Sequence, residues 1–130
     1  MRRLKIAIPT KDHMALEDTV SEVFGKAKTF TIVECEDGKI VNVQIVDNTA
    51  ASYDYGSGPI VVKILAGLKV DLVLAVEIGP GVSKMLEHNN IQKVLVESGR
   101  KVKDILEESL TDQSHRRQRY AIKKELSRLL

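Results

Sequence analysis

The sequence predicts an α/β domain built on a five-stranded mixed sheet of order 3-2-1-4-5, flanked by helices and followed by a C-terminal helical extension. Two apolar runs joined by Asp37-Gly38 follow a first short one, the pattern of an antiparallel meander. In the second half, helical spacing alternates with short β-branched runs, the rhythm of parallel strands linked by crossover helices. A chain of 130 residues with 43% hydrophobic content forms one ordered domain with its own core.

Leu4 to Ile8 turns fully apolar after its first residues and reads as a buried strand, stopped by Pro9. Residues 10–25 are polar and poorly periodic, closing at Gly25, and predict a long loop with one helical turn. A loop of this length inside a compact domain is uncommon without a functional role. Residues 28–34 give the second strand and Lys39 to Val46 the third, which alternates as if both faces were partly covered. Ile60, Ile64, Leu65 and Leu68 recur at helical spacing after Pro59, which suits the first helical position. Val70 to Val76 is a buried strand, and Val82, Met85 and Leu86 mark a helix begun by Pro80 and ended near Asn89-Asn90. Ile91 to Val96 is the last strand, and Val102, Ile105, Leu106 and Leu110 mark the next helix. This β-β-β-α-β-α-β-α order is the ribonuclease H-like arrangement.

Several functions are disfavoured by what the chain lacks. Cys35 is the sole cysteine, so no internal disulfide forms and no cysteine cluster can hold a metal. No segment reads as a signal peptide or a membrane span, and a cytoplasmic location is expected. The first strand carries no acid, against metal-dependent nuclease chemistry. There is no Gly-Lys-Ser/Thr phosphate loop, and in Gly56-Ser57-Gly58 the third glycine of a dinucleotide fingerprint is replaced by Val61. His13, His88 and His115 fall in three different elements, and acidic neighbours keep the Cys35 thiol protonated. Nothing here reads as an enzyme.

The formal charge of +2 conceals an asymmetry. Residues 113–130 carry a net +5 and residues 1–112 a net −3. Ile122, Leu126, Leu129 and Leu130 share one face of a predicted helix, so residues 1–110 read as the domain and 111–130 as a basic amphipathic helix. That helix is expected to dock on its own domain or on a second copy, giving a homodimer. A sharper alternative is an arm recruiting a protein or nucleic-acid partner, although Tyr120 alone is thin support for base stacking.

Three glycine-bearing segments are placed to meet at the carboxyl ends of the strands: Phe24-Gly25, Gly56-Ser57-Gly58-Pro59 and Ile78-Gly79-Pro80-Gly81. The last two each put Gly-Pro at a helix start, where free N–H groups and the helix dipole favour an anion.

Residues Lys5 to Thr10, then Val20-Ser21-Glu22-Val23-Phe24-Gly25 through Phe30, Gly56 to Pro59, and Val70 to Gly81 together resemble the dinitrogenase iron–molybdenum cofactor biosynthesis family. That family includes NifX, the core domain of NafY and the C-terminal domain of NifB, and the resemblance covers about residues 4–106. It implies a ribonuclease H-like fold and a non-enzymatic carrier of an iron–sulfur or iron–molybdenum type cluster, working with a cluster donor or acceptor protein. Carried onto this chain, it implies cofactor-binding positions at Ser21, Phe24, Gly25, Gly56, Ser57, Gly58, Gly79 and Gly81. The family commonly has histidine directly before Phe-Gly, where this chain has Val23. Valine cannot coordinate metal, so His13 or Cys35 is the expected substitute ligand, unless binding is mainly electrostatic. The alternative is a module in which the same crevice takes a small anionic metabolite.

Overall fold

The computed structural model describes residues 3–53 and 56–110. Five strands form one sheet of order β3-β2-β1-β4-β5. They are β1 (Arg3–Thr10), β2 (Thr29–Glu36), β3 (Lys39–Asp47), β4 (Leu72–Ala75) and β5 (Gln92–Leu95), with helices α1 (Ser57–Gly67), α2 (Pro80–His88) and α3 (Val102–Leu110). The first three strands pair antiparallel, while β4 lies parallel to both β1 and β5. The expected sheet order therefore holds. The expected C-terminal helix, and with it any dimer contact through 111–130, lies outside the described residues.

The hairpin between β2 and β3 turns where the sequence places it. Asp37 and Gly38 both take positive φ, 52° and 82°, as a type I′ turn requires. The β1–β2 pairing is in full register from Arg3↔Glu36 to Thr10↔Thr29, whereas the β2–β3 pairing shifts register between Glu34 and Cys35. Asp71 locks β4 to β1, because its carboxylate accepts the Lys5 N–H while its own N–H donates to the Lys5 carbonyl.

Alternation along β1 and β4 sends side chains to two separate cores. Leu4, Ile6, Ile8, Leu72 and Leu74 pack on one face with Val102, Ile105 and Leu106 of α3. Ala7, Val73, Ala75, Phe30 and Ile32 pack on the other with Val61, Val62 and Leu65 of α1 and Leu86 of α2. Helices thus cover both faces of β1 and β4, which explains why all four residues of β4 are buried.

Two prolines behave differently from the sequence expectation. Pro9 does not stop β1, which runs on to Thr10. Its carbonyl points away from β2 and accepts the Ser21 N–H at 2.7 Å. In an extended residue the nitrogen points the same way, so the missing N–H costs the β1–β2 ladder no bond. Pro59 is the third residue of α1, not the first, because the helix begins at Ser57. Gly56 caps it in a left-handed conformation, φ 75°, which a side chain would strain. Proline is still tolerated there, since the first turn's N–H groups have no intrahelical acceptor.

The long loop after β1 contains one 3-10 turn, Ala15–Glu17, as expected. It is held by Asp18, which is only 1% exposed. The Asp18 carboxylate accepts the backbone N–H groups of Lys11, Asp12, Met14 and Thr19. Burial alone would raise its pKa, but those four donors outweigh it and hold the carboxyl below its usual range. The chain then returns beside β1, bridging Thr10 to Val20.

Candidate functional site

Residues 20–28 cross the carboxyl end of the sheet and separate two depressions. The first is a cleft of about 220 Å³ lined by Glu22, Val23, Phe24, Gly25, Glu77, Gly79 and Val82. The three glycine segments singled out in the sequence meet around it. Gly25 sits against the start of α1, where a Cβ would lie 2.8 Å from Ser57 Oγ and 3.1 Å from the Gly58 nitrogen. Gly58 in turn faces α2, where a Cβ would lie 2.5 Å from a methyl of Val82. The absence of side chains at these two positions lets the loop and both helix starts approach one another. Phe24 is buried behind the cleft, its ring edge-on to Phe30 with centroids 5.6 Å apart.

The other expected residues are distributed more widely. Gly56 caps α1 and is exposed, and Gly81 lies exposed in the first turn of α2. Ser21 faces the second depression instead, and its hydroxyl accepts the Val23 N–H at 3.3 Å. His13 is exposed on the long loop, its Nε2 2.5 Å from Asp47 Oδ1 at the end of β3. Cys35 pairs with Leu4 and Ile40 near the opposite end of the sheet. It lies six residues along β2 from Thr29, about 20 Å at the usual rise. It is buried, and burial pushes its thiol pKa up. The structure therefore brings neither His13 nor Cys35 to the lining of the cleft. Among the described residues no three His, Cys, Asp or Glu side chains converge on a common point.

Sequence reasoning missed the two carboxylates of the cleft. Glu22 lies between Ser21 and Phe24 and Glu77 two residues beyond β4, and neither type nor spacing marks them as a pair. Val23, 51% exposed, stands on the same rim.

A mixed sheet whose strands β1 and β4 are covered by helices on both faces, with a glycine-shaped cleft at its carboxyl edge, defines a small α/β domain. The profile described as dinitrogenase iron–molybdenum cofactor matches residues 2–112, and the chain belongs to that family. The family is one of iron–molybdenum cofactor biosynthesis and binding. An uncharacterized protein of Methanocaldococcus jannaschii is 32% identical over 80 residues, 62% of this chain and 64% of that protein's length. The chain thus spans less than two thirds of that relative. The structure is similar to that of a Thermotoga protein named for NifB and placed in the DUF35 family, with TM-score 0.63 and 31% identity over 78% of this chain and 82% of that one. It shares its fold with the apo form of the orange protein of Desulfovibrio gigas, with TM-score 0.74 and 23% identity over 82% and 86% of the two chains. Among the described residues no helix is long and apolar enough to cross a membrane.

Proposed function

We propose that this chain is a non-enzymatic carrier or accessory protein that holds an iron–sulfur or iron–molybdenum type cluster as cargo in the cleft beside Gly25. The convergence of the three glycine segments, in a chain of this family, supports the reading most directly. The cleft offers shape, a helix start on either side and an apolar wall from Phe24 and Val82. Among the described residues that line it there is no histidine or cysteine. Glu22 and Glu77 work against a bare metabolite anion, but a carboxylate oxygen can ligate a metal centre of a cluster. That favours a metal-containing cargo over the small anionic metabolite considered for the same crevice. Exchange with a partner among the cofactor-biosynthesis proteins, a cytoplasmic setting and a ribonuclease H-like classification belong to the same proposal.

The test is anaerobic loading of the purified protein with iron–molybdenum cofactor or an iron–sulfur cluster, followed by desalting, visible absorption and iron analysis. Stoichiometric iron is expected, reduced when Glu22 and Glu77 are both changed to glutamine and lost more slowly to a chelator in Val23→His. No retained iron, under conditions that load a histidine-bearing relative, would overturn the proposal.

A further inference from the structure

The second depression lies on the other side of residues 20–28. It is a pocket of about 290 Å³ lined by Thr10, Lys11, Asp12, Ser21, Lys26, Ala27 and Lys28. Three ammonium groups and one carboxylate give its lining a positive balance. The cleft beside it, with Glu22 and Glu77 and no basic residue among the described ones that line it, has the opposite sign.

The lysines are not a random surface cluster. Lys26 lies in the turn that closes when the Ala27 N–H donates to the Phe24 carbonyl, and Ala27 is buried while Lys26 and Lys28 on either side of it are exposed. Asn48, itself 7% exposed, fixes this stretch from behind: its amide donates to the carbonyls of Gly25 and Ala27 at 3.0 and 2.8 Å, and its N–H donates to the carbonyl of Lys28. Lys11 is fixed from the opposite wall, because its N–H donates to the Asp18 carboxylate. Two buried polar side chains therefore fix the backbone that carries three lysines lining one hollow. No described carboxylate forms an ion pair with any of the three. The lining also includes Ser21, whose hydroxyl accepts the Val23 N–H and keeps its own proton to donate, and Thr10, which is fully buried with its hydroxyl within hydrogen-bond distance of Thr29 and Thr31.

Mutual repulsion of neighbouring cations is relieved by a bound anion, and the Ser21 hydroxyl can donate to one of its oxygens. Lysine is a compact point charge without the planar fork that matches a carboxylate, so the arrangement suits an anion whose charge is spread over several faces. We infer that the Lys11–Lys26–Lys28 pocket is a binding site for a tetrahedral oxoanion, either free or as the terminal group of a phosphorylated small molecule. The site is separate from the cleft proposed for the cluster and does not depend on it.

Titration with inorganic phosphate tests this, followed by amide chemical shifts at constant ionic strength against sodium chloride. Saturable shifts are expected at Thr10 to Asp12, Ser21 and Lys26 to Lys28. Their midpoint should rise at least tenfold in Lys26→Gln/Lys28→Gln and stay put in Lys63→Gln on the exposed side of α1. Saturation by glycerol phosphate at a lower concentration than phosphate would assign the site to a phosphorylated molecule, and the reverse to the free anion. Shifts that chloride reproduces, or that survive the double substitution, would overturn the inference. Cluster loading measured on the same double variant keeps the two proposals apart, because iron retention is expected to be unchanged.

Discussion

Strands β3 and β4 each flank the β2–β1 pair, yet they have opposite characters. All four residues of β4 are buried, between α3 on one face and α1 with α2 on the other. Nine residues of β3 contain no buried position, and Val41 is 50% exposed. The difference follows from connectivity. A parallel strand needs a crossover, and the crossover helices α1 and α2 bury the sheet they bridge. An antiparallel hairpin needs two turn residues and brings no cover with it. The functional features follow the same division, since the cleft draws on the segment after β4 and the starts of the crossover helices, whereas β3 ends beside His13.

The largest effect that can break this comparison is removal of core volume from β4. Leu74→Ala deletes a fully buried side chain shared with α3, and a cost of about 2–5 kcal/mol is expected from lost transfer energy plus the residual cavity. Urea denaturation at constant slope measures it. A loss below about 1 kcal/mol would mean that the face under α3 is loosely packed, and the division between covered and uncovered strands would fail.

Next in size is Asp18, which holds the loop over the carboxyl edge. Asp18→Ala leaves four backbone donors without their charged acceptor, a loss on the order of 2 kcal/mol. Because the folded-state pKa is depressed, the carboxylate's contribution is fully present above its unfolded value of about 4. It disappears as pH falls through the lower folded value. Stability of the native chain should therefore drop below about pH 4 more steeply than that of Asp18→Ala. Parallel pH profiles of the two would refute the assignment of the loop to this carboxylate.

The sheet order was legible because its signals are local. Asp37-Gly38 sets the hairpin, and helical spacing after Pro59 and Pro80 sets the two crossovers. The meeting of Gly25 with Ser57 and Gly58 followed from the same topology. What escaped the sequence depends on which side of a backbone faces what. Pro9 reads as a terminator until the direction of its carbonyl is known. Glu22 and Glu77, 55 positions apart, form a pair only through the fold. Asp18 and Asn48 look like ordinary loop polars, and their role as buried anchors becomes visible only with their partners. Chemical type alone makes Cys35 a candidate ligand, whereas the β1–β2 register sets it at the far end of the sheet.

The smallest expected effect sharpens the comparison most. Val41→Thr keeps the β-branched shape that suits a strand and changes only polarity on the half-exposed edge. Since that side chain gains little from burial, the stability change should stay within about 0.5 kcal/mol. An uncovered edge strand also presents unpaired N–H and C=O groups, which natural sheets protect with charge. Lys39 opens β3, but the next two residues, Ile40 and Val41, are exposed and apolar. Val41→Lys should therefore leave the urea midpoint where it is and raise the concentration at which the protein self-associates, read by light scattering. If either substitution instead costs more than about 1 kcal/mol in a concentration-dependent way, β3 is covered by a second copy in solution. The contrast with β4 would then be one between a strand buried by its own crossovers and a strand buried by assembly.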